Sequence, residues 1–156
     1  MTAARRRAGQ AIAAAAGELT RLWRATRAQA RRGLWSGLID GIAEDFFARL
    51  GASLADGRDP ALVWPEVTGL VRLDPRDLDR SRDELDAEWD AVQTVLSAAC
   101  DALACDADLR EWIARALVLA RAGARTLDQG GGPAGVAVVW SLAGLGVVTR
   151  GHDTAR

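Results

Sequence analysis

From Leu34 to Leu54 a large apolar residue falls at every fourth position: Leu34, Leu38, Ile42, Phe46, Leu50 and Leu54. A strand would alternate faces at every second residue, whereas this spacing keeps one face of a helix apolar. The spacing predicts a helix over about 34–55, with Trp35 and Ile39 widening the stripe and Gly37 and Gly41 one turn apart, a spacing that allows close helix approach. Asp56-Gly57-Arg58-Asp59-Pro60 reads as the turn that ends it.

The same pattern recurs on both sides. Over about 8–32, Ile12, Ala16, Leu19, Leu22, Trp23, Thr26 and Ala30 share one face, and Arg21, Arg24, Arg27, Arg31 and Arg32 lie mostly on the other. Residues 60–73 are less regular. Pro65 after Trp64 argues against a long helix, so a short one over 61–70 is expected. Asp74 followed by Pro75 is a good helix start. A third long helix is expected over about 75–104, with Leu78, Leu85, Trp89, Val92, Leu96 and Leu103 on its inner face. Asp108 and Glu111 read as a capping box opening a fourth long helix over about 108–127. That helix turns Leu109, Trp112, Ile113, Ala116, Ala120, Gly123 and Leu127 inward and Arg110, Arg121 and Arg125 outward. Gly123 is expected to loosen its last turns. Val118 falls on the arginine side and is a candidate contact residue.

The expectation is an all-α fold: four long helices in a bundle, a short helix near 61–70, and an apolar Gly-rich C-terminal segment. A chain of 156 residues, 49% of them hydrophobic, suits one domain with a true core. The bundle is assigned to 1–128, and 129–156 to a Gly-rich linker, an apolar segment and a polar tail. Residues 134–148 carry Ser141 as their one clearly polar side chain. That is shorter than the ~20 apolar residues of a membrane span. The run reads as a last helix or hairpin covering the bundle, as a docking segment, or as a membrane-inserted piece. Val136, Val138, Val139, Trp140, Leu142, Leu145 and Val147 are expected to divide between the bundle and a second chain, with Val136, Val139, Trp140, Leu142 and Leu145 as partner contacts.

Charge is uneven along the chain. Residues 1–32 hold eight arginines and one acid, Glu18, whereas 74–90 hold eight acids and three arginines. The two segments are complementary, and Arg21, Arg24, Arg27 and Arg31 are candidate contacts for an anionic partner. The net charge of −1 gives no general drive toward nucleic acid, which is not expected as a partner. All 20 basic residues are Arg and the chain is rich in Ala and Gly, as in proteins of GC-rich bacterial genomes. The basic start and the Ala run to Ala16 resemble an export signal. The helical pattern, however, continues through Leu19, Leu22 and Trp23, so a cytoplasmic protein is expected.

No catalytic residue is expected. The single His, His152, sits near the C-terminal end, where it is a poor general base. Cys100, Cys105 and His152 are too few for a structural zinc site, and no metal or cofactor is expected. The thiols read as small, half-buried apolar residues in a reducing compartment. Glu84/Glu88 and Asp86/Asp90 read as solvated charges, since a di-iron bundle needs inward Glu-x-x-His motifs. Gly130–Gly132 lacks the Gly-Lys-Ser/Thr of a phosphate loop. Trp23, Trp89 and Trp112 read as core residues, or alternatively as the lining of a ligand pocket.

From Leu34 to about Thr126 the order of segments resembles the helical N-terminal domain of RsbR/RsbRD-type stressosome co-antagonists and of some sensor histidine kinases. Leu38-Ile39-Asp40-Gly41-Ile42 looks like that family's early helix, followed by an Ala/Leu helix and a Gly-Arg-Asp-Pro turn. Glu84–Gln93 looks like its Glu-Tyr-x-x-Leu-Arg segment, with Trp89, Val92 and Gln93 at the Tyr, Leu and Arg places. The family's His-Gly-x-x-Arg-like element has no counterpart at Val71–Arg76. The resemblance implies an all-helical, non-enzymatic regulatory module that assembles or senses. The leading functional expectation is therefore a regulatory or adaptor module acting by self-association or partner docking. The alternatives are a membrane-surface protein using the basic first helix and the apolar segment, and a small-ligand sensor.

Overall fold

The computed structural model describes residues 2–30, 41–70 and 82–129. The fold is all-α: α1 Ala3–Ala14, α2 Ala16–Ala30, α3 Ala43–Asp56, a 3₁₀ turn Pro60–Leu62, α4 Val63–Leu70, α5 Arg82–Ala102 and α6 Ala107–Gln129. The expected linker, apolar segment and tail, including Val136, Val139, Trp140, Leu142 and Leu145, lie outside the described residues, as do Arg31 and the Asp74-Pro75 start.

The single helix expected over 8–32 is two helices. Thr2 starts α1 by accepting the Arg5 N–H on its hydroxyl at 3.2 Å, satisfying one of the orphan donors of the first turn. At Ala15 the backbone leaves helical geometry, with φ −90° and ψ 9°. The break lets the two halves serve different partners: α1 lies along α3, while α2 packs on both α5 and α3.

The α1–α3 seam is built from glycine. A Cβ on Gly9 would stand 2.5 Å from the Gly51 carbonyl oxygen, and one on Gly51 would stand 2.6 Å from the Gly9 oxygen and 2.4 Å from the Ala13 nitrogen. Only hydrogens fit there, so the two backbones touch. The expected close-approach pair, Gly37 and Gly41, is not this seam: a Cβ on Gly41 would meet nothing within 4 Å among the described residues, and Gly37 lies outside them.

Helix α3 begins only at Ala43, because Gly41 and Ile42 form a turn, and Glu44 and Asp45 then occupy its first turn, where the helix dipole favours acids. Gly57 closes α3 at φ 71°. Its N–H donates to Leu54 at 3.2 Å while that of Arg58 reaches Ser53 at 2.9 Å, the paired bonds of a Schellman ending. Asp59 caps the following turn through Ala61 N–H at 2.9 Å. Pro65 sits in the first turn of α4, where no N–H is required, so the short helix expected near 61–70 is present.

Asp106, not Asp108, caps α6, its carboxylate accepting the Leu109 N–H at 2.9 Å. The cap falls two residues before the one its acid spacing suggested, which leaves Asp108 inside the first turn. Gly123 does not end α6, which continues to Gln129. A Cβ at 123 would lie 2.3 Å from Cδ1 of Trp64, so the glycine makes room for an indole.

Phe46, Phe47, Leu50, Leu54, Val63, Val67, Trp89, Val92, Leu96 and Ile113 fill the core with Trp23 and Ile12. Helix α6 adds Ala116, Ala120 and Ala124, small residues that let the larger rings lie against it. Two expected core residues are exposed, Leu22 at 47% and Leu103 at 39%. Leu22 flanks the α2 face that Trp23 takes inward, and Leu103 falls beyond the last turn of α5.

Candidate functional site

Four indoles are described, and they pack against aromatic or backbone groups. Trp89 meets Phe46 edge-on at 5.4 Å and Trp64 at 5.5 Å. Trp23 is fully buried and donates from Nε1 to the Glu88 carbonyl at 3.3 Å. Trp112, half-buried, donates to the Arg58 carbonyl at 3.1 Å. Trp64 had no distinguishing sequence signal, because its partner is the gap at Gly123. An open groove of about 460 Å³ lies elsewhere, at the α1–α2 break, lined by Gly17, Thr20, Arg24, Glu44, Asp45 and Ala48 and by no Trp.

Three of the charged groups expected to be solvated, Asp86, Glu88 and Asp90, form connections between helices. Glu88 is buried, because α5 packs on α2 along that edge. Arg27 lies over the Trp23 ring at 4.5 Å and 3.7 Å from the Glu88 carboxylate. This ion pair joins the basic first segment to the acidic one. Two further acids of that segment turn to α6: Asp86 accepts from Arg121 at 3.0 Å and Arg125 at 2.7 Å, and Asp90 accepts from Arg121 at 2.9 Å.

Hydrogen bonding from Arg121, aided by Arg125, holds the Asp86 carboxyl below its usual range despite some desolvation. A depressed folded pKa contributes stability at neutral pH that is lost as pH falls through that value. Asp86→Asn is expected to cost about 1 kcal/mol at pH 7, as for a partly exposed pair. The difference from wild type should close below the ordinary carboxylate range. Urea unfolding across that pH range checks it, and a pH-independent difference counts against a charge origin.

Of the remaining candidate arginines, Arg21 pairs with Glu18 within α2, and Arg24 borders the groove. Arg5, outside the candidate set, donates to the Leu54 carbonyl at 3.1 Å and lies over Trp112 at 5.3 Å. The basic segment is thus divided between internal contacts and exposed positions.

Val118 is 67% exposed in the middle of α6. Ala114 and Ala122, one turn to either side, are exposed too, with Leu119 beside them. Residues four apart lie over one another on a helix, so these side chains make a narrow apolar ridge on the solvent face. Among the described residues no cluster of three or more His, Cys, Asp or Glu could hold a metal, and no helix is long and apolar enough to cross a membrane.

Among the described residues, fold and surface define an all-α domain in which several ion pairs tie one helix to another. No family model, curated protein or solved structure matches the chain.

Proposed function

We propose that this chain is a non-enzymatic helical regulatory or adaptor module that acts through protein contacts, by self-association or by docking a partner. The observation that carries this reading is the ridge of Ala114, Val118 and Ala122 with Leu119 on the outer face of α6. Apolar side chains at helical spacing are what an apposed helix recognises, and the interior beneath is already filled by Ala116, Ala120 and Ala124. The resemblance to stressosome co-antagonist domains leads in the same direction, toward a module that assembles.

Val118→Asp in the full chain tests the reading. It puts a charge on an exposed position, so the unfolding midpoint should stay within about 0.5 kcal/mol of wild type. Association, measured as mass in solution by light scattering and as retention of a co-purifying partner, should fall at least tenfold. A wild-type chain that is strictly monomeric and retains no partner rejects the proposal.

A further inference from the structure

Helix α5 ends in a turn that brings the chain's two cysteines together. Cys105 N–H donates to the Cys100 carbonyl at 2.9 Å, and Ala104 N–H donates to Asp101 at 3.1 Å. Ala104 is left-handed, with φ 49°. These are the two bonds of a Schellman ending, whose flanking side chains meet across the turn. At the end of α3 the left-handed place is taken by Gly57; here an alanine takes it, at a strain of about 1 kcal/mol.

Both flanking side chains are free thiols, both buried. An N···O separation of 2.9 Å, with standard covalent geometry on either side, limits the Cα–Cα distance to about 6.8 Å at most. That lies within the span a disulfide bridges. Both side chains belong to the same core cluster, at the two flanking positions that meet across such a turn. Arg110 holds the turn closed, donating from Nε to the Cys105 carbonyl at 3.1 Å and from a terminal nitrogen to Asp101 at 2.8 Å.

We propose that Cys100 and Cys105 form an intramolecular dithiol–disulfide site, oxidised by a small-molecule disulfide, that fastens the end of α5 to the start of α6. Cys105, the more exposed of the two, loses its proton and attacks one sulfur of the small disulfide, releasing the first small thiolate. Cys100 then loses its proton and attacks Sγ of Cys105, forming the protein disulfide and releasing the second. Two protein thiols and one small disulfide become one protein disulfide and two small thiols, the protons passing to the released thiolates. Burial, together with Cys105, pushes the Cys100 thiol up to about 11, so the reaction should quicken as the solution is made alkaline.

The test equilibrates the full chain with oxidised and reduced glutathione, quenches with acid, alkylates, and reads the intact mass. The expected product is a monomer lighter by two hydrogens and alkylated at neither Cys100 nor Cys105. Cys105→Ser should leave Cys100 open to alkylation or to a single glutathione. The folded chain should also form its disulfide with an equilibrium constant at least about tenfold above that of the same chain in denaturing urea, because the turn has already closed the loop. A wild-type chain that stays fully alkylatable, retains a glutathione adduct, or links to a second chain overturns the proposal. So does an equilibrium constant no larger than in urea.

Discussion

Gly51→Val is expected to abolish the cooperative thermal transition of this protein. A first side-chain carbon at position 51 would stand 2.4 Å from the Ala13 nitrogen and 2.6 Å from the Gly9 oxygen. Neither obstacle is a side chain that can rotate away. Both are backbone of α1, itself fixed by the Ile12 and Ala8 contacts in the core. Overpacking a core ordinarily costs about 1–3 kcal/mol. Here a whole helix must lift off its neighbour, so the cost should exceed that range and take most of the ~5–15 kcal/mol that a domain has available. Gly51→Ala, with one carbon, should cost about 3 kcal/mol. Gly41→Ala is the matched control, since its Cβ meets nothing within 4 Å among the described residues, and should lie near neutral or stabilise slightly. Circular dichroism on heating reads all three. A Gly51→Val protein that melts like wild type would mean that α1 does not rest on α3.

Trp89→Ala is the second large effect, at an expected cost of about 3–5 kcal/mol. The Trp89 ring is 2% exposed and joins Phe46 of α3 to Trp64 of α4. Removing it leaves a hole where three helices meet, against neighbours that α6 holds in place through Gly123 and Trp64. Trp89→Phe should cost far less. The buried Nε1 of Trp89 has no hydrogen-bond partner among the described residues, so phenylalanine gives up volume without giving up a bond. Its smaller ring also removes an unsatisfied donor, itself unfavourable by about 1–3 kcal/mol. Urea unfolding of the two variants separates the effects. Equal losses would show that Nε1 contributes a contact of its own.

Trp89 and Gly51 differ in how far the sequence marks them. Trp89 could be placed from the sequence: with Val92 and Leu96 it lies on one helical face, and a large ring on an apolar stripe goes inward. Gly51 could not. In the linear sequence it resembles Gly41, and the difference is that another helix crosses at 51. Trp64 and Gly123 are the same case, a ring and the gap that receives it, 59 positions apart. The exposed candidate Val118 was legible because it falls on the arginine side of a regular helix. Glu88 departs from the expected solvated position for the converse reason. Its own helix gives it a polar-edge position, and only the docking of α2 covers it.

Amino-acid order alone therefore determined the class of structure, the stripes that become the core and the C-terminal ends of α3 and α5, because these depend on spacing within about one turn and on local caps. It placed the short helix around Pro65 and the turn at Gly57 on the same local grounds. Tertiary packing decided the rest. It divided the first helix at Ala15, so that α1 could lie on α3 while α2 reached α5. It selected Gly9 and Gly51 as the seam and sent Asp86 to Arg121 and Arg125 in preference to the basic first segment. Each of these depends on which surfaces meet across long stretches of chain, and no periodicity within one helix carries that information.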